Sequence, residues 1–232
     1  CSPAQSCAEL GYKETANKGG CLKCPFGNGW YCPPPKEEKA VLGQCTGYAK
    51  NCKIADILNS DGTCSTNKES GQTPLGVVVA IKDNCGYAIT ADTLPTHFTW
   101  GGYGKDTPYL SNYQTWQEEI IQNGGGSSSA YPAAYEVQNY APSAAPTTKG
   151  KWALPTAGIL NSLYANLNAI NNTISQLGGT DLTGYYSHIW SSSEYDNYSA
   201  WGFSTYGGNG NGGGVSFYEK SNHFPIRPII AF

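Results

Sequence analysis

The 232-residue chain contains no methionine, a single arginine (Arg227) and only three histidines (His97, His188 and His223). A chain without methionine does not begin at its own start codon, so it is expected to be a processed or excised piece. Charged residues make up 13% and the net charge is -3, too little of either sign for a charged disordered tail or a basic nucleic-acid footprint. Long hydrophobic runs are also missing: the longest, Leu75 to Ile81, is far too short to cross a bilayer. No nucleophile elbow, His-Glu-x-x-His, phosphate loop or dinucleotide fingerprint occurs, so no enzymatic activity, cofactor or metal is expected. Asn59-Ser60-Asp61-Gly62 lacks the glutamate that a calcium loop places at its end and reads as a turn. His97, without an acidic or cysteine neighbour, reads as structural or solvated.

What the chain has in excess is cysteine, unevenly placed. Cys1, Cys7, Cys21, Cys24, Cys32, Cys45, Cys52 and Cys64 precede residue 65, and only Cys85 follows. That density predicts a disulfide-stapled module over residues 1–66 in an oxidising compartment, because the segment is too poor in large apolar residues to fold unaided. Cys21-Leu22-Lys23-Cys24 has a zinc-ligand spacing, but no second such pair occurs and every histidine lies downstream, which favours disulfides. A redox role for the pair lacks the surrounding βαβ pattern. Nine is odd, and Cys1 is the natural leftover: it can be a lipid acceptor, pair with Cys7, or simply mark where the chain was cut. Cys85 is expected to tie the following segment back to the module, with Cys64 as the partner considered.

Beyond residue 66 the composition shifts to that of a folded domain, 67–232. Thr73 to Asp83 and Cys85 to Thr90 read as a buried hairpin. A helix is expected from Asn112 to the Gly124-Gly125-Gly126 run, and a second over Ala133 to Tyr140. A third, capped by Thr156, carries Ile159, Leu160, Leu163, Ile170 and Ile174 at helical spacing and ends at Gly178-Gly179. Four short strands close the chain: His188 to Ser192, Ala200 to Thr205, Gly214 to Glu219 and Ile226 to Phe232. Helices first and antiparallel strands last imply an α+β fold.

Trp152-Ala153-Leu154-Pro155-Thr156, Ile189-Trp190-Ser191-Ser192-Ser193-Glu194, Ala200-Trp201 and Arg227-Pro228 before Phe232 form an ordered series. This series resembles the C-terminal, C-type-lectin-like domain of bacterial collagen-like adhesins. It is also similar to the variable proteins that retroelements diversify. The resemblance covers about Thr73 to Phe232 and implies a C-type-lectin-like domain behind the cysteine-rich module. The formylglycine-generating enzymes share that fold, but their chemistry needs cysteines in the C-terminal half, and none follows Cys85 here.

In this reading Trp190, Glu194, Trp201 and Arg227 are framework. The indoles fill the core of a small sheet, and Arg227 forms either an ion pair with Glu194 or a clamp on backbone carbonyls. Ser191 to Ser193 are expected to satisfy backbone groups where the strand bends. Between residues 185 and 223 Tyr, Ser, Asn and Gly dominate, the composition of paratopes. Alternation puts Trp201 with Phe203, and Val215 with Phe217, on one face. It points Gly202, Ser204, Ser216 and Tyr218 outward. With Tyr186, His188, Asp196, Asn197, Tyr198, Tyr206, Asn209, Asn211, Asn222 and His223 they make up the expected ligand-binding set, which would contact a glycan or protein on another cell or host. A surface-displayed binding protein is the first reading, with retroelement diversification as its extension. The alternative is a structural subunit of a bacterial surface filament, which would bring a homo-oligomeric interface.

Overall fold

The computed structural model describes residues 16–17, 21–23, 30–31, 40–45, 47–83, 85–105, 129–183, 188–205 and 213–232. Cys1, with the lipid and disulfide readings attached to it, lies outside them, as do Cys7, Cys24, Cys32 and the helix expected from Asn112. The chain divides into two units, Cys1–Glu38 and Lys39–Phe232. In the first, β1 (Ala16–Asn17), β2 (Cys21–Lys23) and β3 (Trp30–Tyr31) form an antiparallel sheet in which Leu22 stands opposite Ala16 and Tyr31.

The second unit starts well before residue 66. β4 (Ile57–Asn59) and β5 (Cys64–Ser65) form a hairpin, and β4 pairs with β6 (Pro74–Lys82), setting Ile57 against Val77. The expected boundary at 66 therefore moves to 38. Ile57 and Leu58 are fully buried and have their hydrogen-bonding partners in the β6 ladder, so residues 39–66 belong to the larger unit. Two disulfides seal this region among the described residues. Cys52 pairs with Cys64, and Cys85 pairs with Cys45, not with the Cys64 considered from sequence. Cross-linking stabilises chiefly by restricting the unfolded chain, and the two bridges span 40 and 12 residues. Replacing Cys45 and Cys85 by serine is expected to cost about 4 kcal/mol, and replacing Cys52 and Cys64 about 3 kcal/mol. Urea titrations of the two double variants that return the opposite order would show that native contacts, not chain entropy, dominate.

The predicted hairpin forms as β6 and β7 (Cys85–Ile89), joined at Asp83, whose φ of 52° gives the turn its left-handed residue. The C-terminal strand β12 (Ile229–Ala231) lies between β7 and β8 (Trp152–Ala153), completing a six-stranded sheet in the order β5-β4-β6-β7-β12-β8. Gly86 exchanges both backbone hydrogen bonds with Phe232 at 2.9 Å, and a Cβ there would lie 2.3 Å from the Phe232 ring, so this close approach requires glycine.

The sheet is apolar on both faces, which is why β6 reads as an unbroken hydrophobic run. Val78, Ala88 and Ile230 join one cluster with Trp100, Trp152, Trp190 and α1 (Pro132–Asn139). Val77, Val79, Ile89 and Ile229 join the other with α2 (Ala157–Ala165) and α3 (Leu167–Gln176). Thr156 caps α2 as expected, accepting from the Ile159 amide at 3.2 Å. The helix expected to run on unbroken stops at Asn166, whose side chain donates to the Ser162 carbonyl at 2.9 Å and competes with the backbone ladder. At the far end Gly178 has φ 75°, and Gly179 N–H bonds the Ile174 carbonyl at 2.9 Å, a left-handed glycine C-cap.

A second sheet, β11-β10-β9, is built from β9 (His188–Glu194), β10 (Ser199–Ser204) and β11 (Gly214–Glu219). The fold is α+β. The segment expected as a fourth strand is shorter than read. Arg227 lies ahead of β12, outside any strand.

Candidate binding face

The Trp-Ser-Ser-Ser-Glu run makes up the last five residues of β9. The Trp190 indole donates to the Phe98 carbonyl and the Trp100 indole to the Ser191 carbonyl, each at 2.8 Å. Where the β9–β10 register slips between Ala200 and Gly202, the Ser191 hydroxyl donates to the Trp201 carbonyl (2.6 Å) and accepts from Ser193 N–H (3.0 Å). Ser193 Oγ in turn accepts from Ala157 N–H at the start of α2 (3.0 Å). Ser191 thus satisfies polar groups at the bulge, and Ser193 one of the free amides at the start of α2, both in a dry interior.

Both faces of this second sheet are covered, which overturns the outward assignment. On one face Ile189, Phe203 and Val215 pack with α2, whose Tyr164 lies edge-on to Phe203 at 6.1 Å. On the other, Trp190 lies against Phe224 (4.5 Å), and Tyr218 meets both Phe224 (5.1 Å) and His188 (5.3 Å). Gly202 and Ser204 are buried, and Ser216 and Tyr218 are half-buried. A Cβ on Gly202 would stand 3.0 Å from the Ile189 carbonyl and 3.1 Å from the Tyr218 ring. His188 is half-buried too, stacked on Phe224 at 4.7 Å. Gly202, Ser204, Tyr218 and His188 serve the packing. Alternation identified the two faces correctly, but an alternating strand says nothing about whether a second layer covers its polar side.

The surface forms instead at the end of this sheet away from Gly214. One same-face step beyond Phe203 and Val215, the opposed pair Trp201 and Phe217 emerges. Tyr195 stacks on Phe217 at 4.4 Å with 9° between planes, and Trp201 stands edge-on to Tyr195 at 5.2 Å. Three residues beyond Tyr195 along the same turn, Tyr198 meets Tyr103 edge-on at 5.3 Å. Tyr103, Tyr198, Tyr195 and Phe217 are 55, 50, 47 and 42% exposed. Trp201, expected in the core, is half-buried, whereas Trp190 is fully buried. The turn between β9 and β10 is held by Asp196, whose Oδ1 accepts from the amides of Tyr198 (2.8 Å) and Ser199 (2.6 Å). Asn197 contributes its carbonyl to Gly104 N–H at 2.8 Å.

The expected set is thus split. Asp196, Asn197 and Tyr198 share the turn, while Asn222 and His223 are exposed beyond the end of β11. Tyr186, Tyr206, Asn209 and Asn211 lie outside the described residues. The sequence reading missed Tyr103, which belongs to a distant loop, and Phe217, which alternation had turned inward.

Of the two roles expected for Arg227, the ion pair with Glu194 does not form and the bond to a backbone carbonyl does. Glu194 forms its buried ion pair with Lys220, not with Arg227. Arg227 is buried and donates to the Thr180 carbonyl, while Thr180 in turn bonds Asp92 through its amide (2.9 Å) and hydroxyl (2.8 Å). Burial lowers the guanidinium to about 10, against the opposing pull of Asp92 and Asp181, and it remains charged at neutral pH. Burial also raises the Tyr131 phenol, with the Glu194 charge adding to it. A cleft of about 660 Å³ lined by Ile81, Lys82, Tyr87, Thr156, Ile159 and Ser162 shares no residue with the aromatic face. No group of three or more His, Cys, Asp or Glu is placed to hold a metal among the described residues.

No family model and no curated protein matches the chain. Among solved structures it is similar to a crystal structure of a fimbrial protein from Bacteroides ovatus ATCC 8483, with a TM-score of 0.55 and 15% identity. The match covers 78% of this chain and 49% of that one, so this chain spans about half the length of that protein, and the likeness is one of fold.

Proposed function

We propose that the protein is a surface-displayed binding protein of the extracellular space that engages a glycan or protein ligand, without catalysis, through the aromatic face around residues 195–198. One observation carries this reading: Tyr103, Tyr195, Tyr198, Trp201 and Phe217 gather where the two covering layers of the second sheet end. Large aromatics are normally the first side chains that folding removes from water, and a cluster left half in solvent has the make-up of a recognition hot spot. The disulfides accord with an oxidising, extracellular setting. The α+β unit accords with the C-type-lectin-like head that the sequence resembles, and retroelement diversification is tested by looking for a reverse-transcriptase gene and a near-copy of the 3′ end beside this one. A filament subunit is the second reading, favoured by the fimbrial neighbour.

Replacing Tyr103, Tyr195, Tyr198 and Phe217 together by serine is expected to abolish capture on glycan and protein arrays. It should lower stability only modestly, by about 1–2 kcal/mol in total, since each ring is already near half exposed. Undiminished capture with all four rings removed would sink the assignment of this face. A wild-type chain that captures nothing but polymerises would establish the filament reading instead.

A further inference from the structure

Lys220 is the residue whose position the proposed function leaves unexplained. It follows directly on β11, is 0% exposed, and its ammonium lies 4.9 Å from the centroid of the Trp100 ring. The three N–H donors have three oxygen acceptors: Glu194 Oε1, the Lys105 carbonyl at 3.0 Å and the Asn197 carbonyl at 3.1 Å. Its backbone ties the same segments again, the amide donating to the Tyr198 carbonyl (2.9 Å) and the carbonyl accepting from Trp100 N–H (3.1 Å). Glu194 ends β9, Asn197 and Tyr198 form the following turn, and Lys105 belongs to the loop that carries Tyr103. Every segment that presents Tyr103, Tyr195 and Tyr198 is therefore fastened to one buried charge.

A carboxylate oxygen and two backbone carbonyls converging on a single point form the kind of oxygen cluster that loops offer to a hard divalent cation. Here an ammonium covalently attached to the chain occupies that point. All three of its donors are used, the one carboxylate is already neutralised by the ammonium, and a second cation would meet that ammonium at close range. We propose that Lys220 is the positioning residue of the aromatic face, an internal cation that holds the turn at 195–198 and the loop at 102–105 together, so that the face keeps its shape independently of calcium or any other divalent ion. This rests on the reading of that face as the binding face, and it adds how the face is built.

Amide hydrogen exchange on the intact chain tests the inference without a ligand. The reporters are the Gly104 amide, bonded to the Asn197 carbonyl, and the Tyr198 and Ser199 amides, bonded to Asp196. In the Lys220→Met/Glu194→Gln variant they are expected to exchange about ten- to a hundredfold faster, the worth of a charge-assisted hydrogen bond expressed as an opening equilibrium. The Val78 and Trp190 amides, bonded to Asp56 and Pro225, report on the folded core and are expected to stay protected. Unchanged exchange at Gly104, Tyr198 and Ser199 overturns the proposal. The wild-type chain in EDTA and in millimolar calcium chloride supplies the second arm. Identical exchange at the three reporters, and identical array capture, is the expected result. Protection that appears only with calcium overturns the proposal even where the double variant fails to fold. A chain that captures no glycan and no protein sinks the binding reading but leaves the exchange result standing.

Discussion

Lys220→Met alone is expected to destabilise the larger unit by about 3–5 kcal/mol, because it leaves the Glu194 carboxylate buried without its counter-ion. The effect comes from desolvation more than from the lost attraction. A buried ion pair is at best a modest net gain, yet half of one is a large loss, since the surviving charge stays out of water without its counter-ion. The Lys105 and Asn197 carbonyls lose their ammonium donor in the same step. Guanidinium titration of the single and the double variant separates these contributions: Lys220→Met/Glu194→Gln should recover a substantial part of the loss, because it removes the buried carboxylate charge together with its counter-ion. A single variant within about 1 kcal/mol of wild type would show that Glu194 regains solvent, and that the pair is less enclosed than its geometry implies.

Trp190→Ala is expected to cost a further, independent 3–5 kcal/mol or so, the range for truncating a fully buried large aromatic. Trp190 is 0% exposed and lies at the junction of β9, the Phe98 segment and Phe224. Removing it opens a cavity bounded by the first hydrophobic cluster and releases the tilted contact with Phe224 at 4.5 Å. The Phe98 carbonyl keeps a second donor, Phe224 N–H at 3.1 Å, so the loss is one of packing more than of an unsatisfied acceptor. Trp190→Phe, which retains most of the volume, should therefore lose clearly less than Trp190→Ala. Against a total stability of about 5–15 kcal/mol for an ordinary domain, the alanine variant sits near the edge of folding at 37 °C. Thermal and urea unfolding that place both variants within about 1 kcal/mol of wild type would contradict the burial of this ring.

The two predictions concern residues that the sequence treated very differently. Trp190 was recognisable as framework from its place in the Trp-Ser-Ser-Ser-Glu series that carries the resemblance, on a short strand in need of large core aromatics. For Glu194 an ion pair with the only arginine was one of two arrangements open from the sequence, and Lys220 was not among them. No local signal connects Glu194 with Lys220, 26 residues away across two strands. The aromatic face shows the same division. The turn residues Asp196 to Tyr198 could be located from an Asx-type turn between two strands. Tyr103, supplied by a loop 95 positions earlier than Tyr198, could not.

Local physics settled the elements. The Thr156 cap, the Gly178 C-cap and the β6–β7 hairpin follow from what neighbouring residues do to one another's backbone, and they stand close to where the sequence placed them. Alternation likewise sorted β10 and β11 into two sets of side chains. Which set meets water, which cysteine closes on Cys85, where the larger unit begins and which cation neutralises Glu194 were decided by layers brought together from far along the chain. Burial and charge pairing depend on what arrives on the other side of a strand, and a strand's own residues carry no record of that.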